Sequence, residues 1–183
     1  LFVIMALMMS PSTNAFFYSI PWLVWQGIQA CSSLHRAWKN GTRDAAGLCL
    51  ISSAVFPAVG AAWLTAFCAG WMPFGFDALI VLLTAAHFHH AGFTLPLMAG
   101  LLGRARPGIF TSACCTAVLA GVPLVAAGIT CTHFGVLPWV EPVGVTFLVV
   151  GALGIAFSQT SCGMGKQSCS ELRCLFIISG MSL

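Results

Sequence analysis

Residues 45–70 read AAGLCLISSAVFPAVGAAWLTAFCAG, without a single Lys, Arg, Asp, Glu or His. About 20 consecutive apolar residues suffice to cross the ~30 Å hydrocarbon core of a bilayer as a helix, so this stretch predicts a transmembrane segment. Working outward, 77–100, 109–130 and 142–159 pass the same test or come close. A shorter run, 15–31, carries Pro21 but also Phe16, Phe17, Trp22, Leu23, Val24 and Trp25, and is read as a fifth span. Leu1–Met9 reads as the end of a partial span near 1–10. The chain begins at Leu rather than Met, so it is read as N-terminally truncated, and no basic segment precedes the apolar run as one would in a signal peptide. The expected fold class is all-α: a polytopic transmembrane helix bundle of about five to six spans. Residues 1–160 form its one membrane domain, and 161–183 a cytoplasmic tail of altered, Ser-, Cys- and Gly-rich character.

Composition agrees. Only 6% of the 183 residues are charged, against about 25% in soluble domains, whose surface must face water. A soluble enzyme, a nucleic-acid binder, a disordered linker and a disulfide scaffold are all excluded. The few cations then set the topology. Arg36, Lys39 and Arg43 fall in the loop 32–44, Arg104 and Arg106 in the loop 101–108, and Lys166 and Arg173 in the tail, while the loops 71–76 and 131–141 carry none. That alternation follows the positive-inside rule and places the basic loops and the C-terminus in the cytoplasm. Trp71 and Trp139 in the uncharged loops, and Trp38 on the basic side, suit the headgroup level. The pairs Gly121/Gly128 and Gly144/Gly151 each lie on one helix face and allow close helix contact.

Asp44, Asp77 and Glu141 each precede an apolar run, where a carboxylate caps free backbone N–H groups at the positive end of a helix. Of the nine cysteines, Cys31, Cys49, Cys68, Cys114, Cys115 and Cys131 lie in or at the ends of spans as small hydrophobes. Cys162, Cys169 and Cys174 fall in the tail with no zinc-type spacing. Phosphate loops, a Ser nucleophile elbow and H-E-x-x-H are absent.

One constellation stands out. In 77–100, His87, His89 and His90 lie about ten residues, or ~15 Å, from either end of the span. Ionisable side chains at that depth are costly and usually face a bundle interior or a wet cavity. At 100° per residue His90 lies about 60° from His87, with Thr84 and Thr94 on the same face and Asp77 about 80° round towards the outer mouth. His89 points about 160° away. The candidate functional seam is therefore Thr84, His87, His90 and Thr94, with Asp77 and His89 as further members, and Gly92 and Pro96 as places where the helix opens to water or a partner group. Proton handling suits it, because histidine titrates near neutral pH and needs no second ligand box. Metal or haem ligation needs more donors at that depth, and His35 and His133 lie in loops; the sequence names no metal and no cofactor.

The run Leu82-Leu83-Thr84-Ala85-Ala86-His87-Phe88-His89-His90-Ala91-Gly92-Phe93, followed by Leu95-Pro96-Leu97 and Ala99-Gly100, resembles the signature of the YndJ-like family of bacterial membrane proteins. Its expected core, T-A-x-H-F-H-aromatic-A-G-F, matches at Thr84, Ala85, His87, Phe88, His89, Ala91, Gly92 and Phe93, over some 20 residues. His90 stands where the family has an aromatic, which raises the standing of His89. The resemblance implies a bacterial polytopic protein, hence the inner membrane, and no particular reaction. The function read from the sequence is a proton-linked or small-solute transport component using His87 with His89 or His90. A metal- or haem-dependent membrane oxidoreductase and a non-catalytic membrane subunit are the alternatives. The expected partners are the lipid bilayer and a second copy or other membrane subunits, not nucleic acid.

Overall fold

The computed structural model describes residues 12–164, the side chains of Thr13 and of 162–164 excepted. Five helices follow one another: α1 (Thr13–Asn40), α2 (Ala45–Cys68), α3 (Ala78–Ala105), α4 (Ile109–His133) and α5 (Val140–Met164), with one 3-10 turn at Pro73–Gly75. No strand occurs among the described residues. The partial span near 1–10 and the tail from 165 onward lie outside them.

Among the described residues four helices are long and apolar enough to cross a membrane: Ala45–Cys68, Ala78–Ala105, Ile109–His133 and Val140–Ser161. This is an integral membrane protein of the expected all-helical class. α1 is not among the four, because Ser19, Gln26, Gln29, Ser32 and Ser33 dilute its apolar residues. Helix ends overrun the apolar runs because caps, not hydropathy, stop a helix. The Ser12 hydroxyl accepts from the Ala15 N–H to start α1. Gly41, at φ 61, ends it in the left-handed conformation that glycine adopts without steric cost. Likewise Asp44 accepts from the Gly47 N–H at 3.0 Å before α2, and Asp77 from the Ile80 N–H at 2.9 Å before α3. Glu141 differs from expectation. α5 begins at Val140, so Glu141 lies in its first turn, where it keeps the favourable end of the dipole and accepts instead from the Thr132 hydroxyl at 2.9 Å.

The chain divides into two compact units. The first comprises the chain up to Thr42 together with Ile51–Thr94. Buried Ala15, Leu64, Cys68 and Ala85 form its core, with Tyr18, Trp22, Trp63, Phe67 and Leu82 packed around them. The Ser12 N–H donates to the Cys68 carbonyl at 3.0 Å, so α1 starts where α2 ends and the two run antiparallel. α2 and α3 approach closely in both directions: a Cβ on Gly60 would meet His89 at 2.6 Å, and one on Gly92 would meet Phe56 Cβ at 2.7 Å.

The second unit joins Arg43–Leu50 to the chain from Leu95 onward. Cys49, Ala99, Leu102, Cys114, Cys115, Val118 and Ile155 are its buried core. The two glycine pairs meet across α4 and α5. A Cβ on Gly121 would stand 2.7 Å from Leu148 N, and one on Gly128 only 2.3 Å from Glu141 Cα. These are backbone-to-backbone contacts that any larger residue would wedge apart.

Candidate functional site

The site is built from α3 outward. Val81, Ala85, Phe88 and Gly92 are buried and recur at helical spacing, so they define the packed face of α3 in the first unit. His89 stands on the shoulder of that face, about 70° from its centre, while His87, His90 and Thr94 lie about 130–170° away. Three of the four seam residues thus lie away from the packed face, and Thr84 stands on its other shoulder, about 70° from the centre. His90 is exposed, and half-buried His87 meets the Phe88 ring edge-on at 5.4 Å. The Thr84 hydroxyl donates to the Ile80 carbonyl at 2.8 Å and that of Thr94 to the His90 carbonyl, so both are satisfied within their own helix. Asp77 is exposed and caps α3. Nor does α3 open at Gly92 and Pro96. It runs unbroken to Ala105, and the space beside Gly92 is filled by Phe56 of α2.

His89 is engaged at both ring nitrogens. It lies eleven residues into α3, a rise of ~17 Å. Its Nε2 accepts from the Trp22 indole N–H at 2.8 Å, and its Nδ1 lies 2.9 Å from the Ala85 carbonyl. Indole nitrogen can only donate. Nε2 must therefore accept, which puts the ring proton on Nδ1, donating to Ala85. The two rings also stack, centroids 5.8 Å apart and 24° from parallel. A second proton on Nε2 would occupy the site that accepts from the Trp22 indole, so that proton and this one hydrogen bond are exclusive.

Beside the pair opens a cleft of about 360 Å³. Trp22, Trp25, Gln26 and Gln29 line it from α1, Ser53, Ala54 and Pro57 from α2, and His89 and Phe93 from α3. No Asp, Glu, Lys or Arg lines it. Its chemistry is neutral: aromatic walls with carboxamide and hydroxyl groups that both donate and accept. Among the described residues no three His, Cys, Asp or Glu side chains gather as metal ligands.

Sequence reasoning passed over Gln26, Gln29, Ser53 and Gly60. A signal for the glutamines was present, since Trp22, Gln26 and Gln29 recur at helical spacing in an otherwise apolar run. Gly60 carried none, because only the packing of α2 on α3 makes its missing Cβ matter.

A family model described as YndJ-like protein matches residues 1–183, the whole chain. The chain belongs to the YndJ-like family. It is also 30% identical over 87 residues to the Uncharacterized membrane protein YndJ of Bacillus subtilis (strain 168). That match takes in 48% of this YndJ-like chain and 16% of the Bacillus protein, so the chain spans a small part of that relative's length. No solved structure matches.

Proposed function

We propose that this protein is a proton-linked carrier component for a small neutral molecule, recognised in the cleft beside His89. The observation that carries the reading is the double engagement of His89 by Trp22 and Ala85 against an uncharged cleft at mid-helix depth. A carrier needs a titratable group whose protonation changes a helix contact, and this histidine cannot accept a proton on Nε2 and keep the hydrogen bond from Trp22. α1 counts as a fifth span, because it starts at the end of α2 and its Trp22 meets His89. By the positive-inside rule Arg36, Lys39, Arg43, Arg104, Arg106 and the C-terminus face the cytoplasm of a bacterial inner membrane. On the outward face of α3, His87, His90 and Thr94 suit contact with a second copy or another membrane subunit better than with lipid.

The test uses proteoliposomes with a trapped pH indicator, challenged by neutral solutes of graded polarity from glycerol to a short-chain quinone. At least one solute drives a proton movement in the wild type that His89→Ala abolishes without changing helix content. If no solute moves protons, or if His89→Ala does no more than lower the melting temperature, the reading fails.

A further inference from the structure

Phe74 is a β-carbon-bearing residue in the left-handed region, at φ 58 and ψ 11, a conformation that costs about 1–3 kcal/mol and persists only where the surroundings impose it. The chain turns there, in the loop between α2 and α3, and the result is an aromatic enclosure. The rings of Trp63 and Phe74 stand 6.3 Å apart at 40°, and Phe76 backs both at 6.1 Å. Trp63 and Phe74, together with Trp71 and Pro73, border a cleft of about 420 Å³. Phe74 and Trp71 are 63% and 66% exposed, so their faces are open to an incoming group, while Phe76 is buried behind them.

Interfacial tryptophans often act singly as headgroup anchors. Here, instead, tilted rings converge on one space, and backbone strain is spent to bring one of them there. No Lys or Arg occurs between Arg43 and Arg104, so the sequence around the loop holds nothing that repels a cation, and the Asp77 carboxylate follows Phe76 directly. The cleft spans the last two turns of the membrane-crossing helix that ends at Cys68, through Ala62, Trp63 and Ala66, and the loop beyond it, and so opens towards headgroup level. Converging aromatic faces without a hydrogen-bonding wall recognise an organic ammonium, held within about 6 Å of the ring centroids by the ring quadrupoles.

We infer that the Trp63–Trp71–Phe74 enclosure is a binding site for a quaternary ammonium group, separate from the His89 cleft. A choline-type lipid headgroup and a free quaternary ammonium solute share the chemistry.

The test places the full chain in nanodiscs of phosphatidylglycerol at physiological salt and titrates choline against 3,3-dimethyl-1-butanol, its uncharged isostere, following the indole resonances of Trp63 and Trp71. Choline binds saturably and at least tenfold more tightly than the isostere. Phe74→Gly removes the ring and the strain together. It raises the melting temperature while weakening choline at least tenfold, and Trp71→Leu, at an exposed position, weakens it without unfolding the chain. Equal binding of choline and isostere, a non-saturable response, or undiminished binding by Phe74→Gly overturns the inference. Adding phosphatidylcholine to the nanodiscs identifies the source. Competition with choline points to the lipid headgroup and its absence to the free solute, and either result rests on saturable choline binding in the first arm.

Discussion

Replacing Gly60 by alanine asks whether the backbone of α2 holds His89 in place. Helix propensity alone favours alanine over glycine by about 0.5–1 kcal/mol. Space opposes it. The new Cβ would stand 2.6 Å from His89 Nδ1 and 2.9 Å from the Ala85 carbonyl, where ordinary contact begins at 3.4 Å. The ring or the helix must retreat by the difference, 3.4 − 2.6, or about 0.8 Å. A ring displaced by that much leaves the 2.8 Å hydrogen-bond geometry it holds with Trp22. A lost bond costs about 0.5–1.5 kcal/mol and overpacking about 1–3 kcal/mol. After the propensity gain, a net loss of about 0.5–4 kcal/mol is expected. Equilibrium unfolding in mixed micelles measures it. The Trp22 indole N–H resonance, assigned through Trp22→Phe, shifts upfield as the bond breaks. A Gly60→Ala protein that gains the propensity increment and leaves the Trp22 resonance unmoved refutes the claim that Gly60 seats the histidine.

Three further outcomes follow from other contacts. Gly128→Ala brings a Cβ within 2.3 Å of Glu141 Cα and separates α4 from α5, so it destabilises by about 1–3 kcal/mol; Gly27→Ala, with open space around its Cβ, does not, and parallel unfolding curves compare the two. Asp44 caps α2 and also meets Arg104 at 3.3 Å, with both side chains more than half exposed. Asp44→Ala therefore costs about 0.5–2 kcal/mol, whereas Arg104→Ala loses only the exposed pair, worth about 0–1 kcal/mol and screened by salt; equal losses in melting experiments would contradict the assignment of the cap as the dominant role. Trp22→Phe keeps the stack but removes the indole donor to His89 Nε2, and is expected to cost about 0.5–1.5 kcal/mol and to abolish any His89-dependent proton movement in the liposome assay.

The apolar runs and the scarcity of charge made the helical membrane class legible before any packing was known. The His-rich motif drew attention to the turn of α3 that carries His89. Its facing argument rested on a different premise, that polar residues sharing one face look inward. The structure packs α3 on Val81, Ala85, Phe88 and Gly92 instead, because these residues let α2 come close, and at the edge of that face the missing side chain of Gly60 leaves room for the His89 ring. Glu141 shows the same limit on a smaller scale. Its place near the start of α5 was evident, but its partner, Thr132, lies on another helix.

Sequence by itself determined the class, the order of the spans, the alternation of the cations and the position of the histidines along α3. Those are properties of single segments in a bilayer, set by transfer energies and helical rise. Only the tertiary structure decided which histidine is held, by what and beside which cleft. That choice depends on Gly60 leaving room, on Trp22 arriving from α1 with a donor, and on Gln26 and Gln29 sharing its face. Each is a relation between helices far apart in the chain, and no periodicity within one segment encodes it.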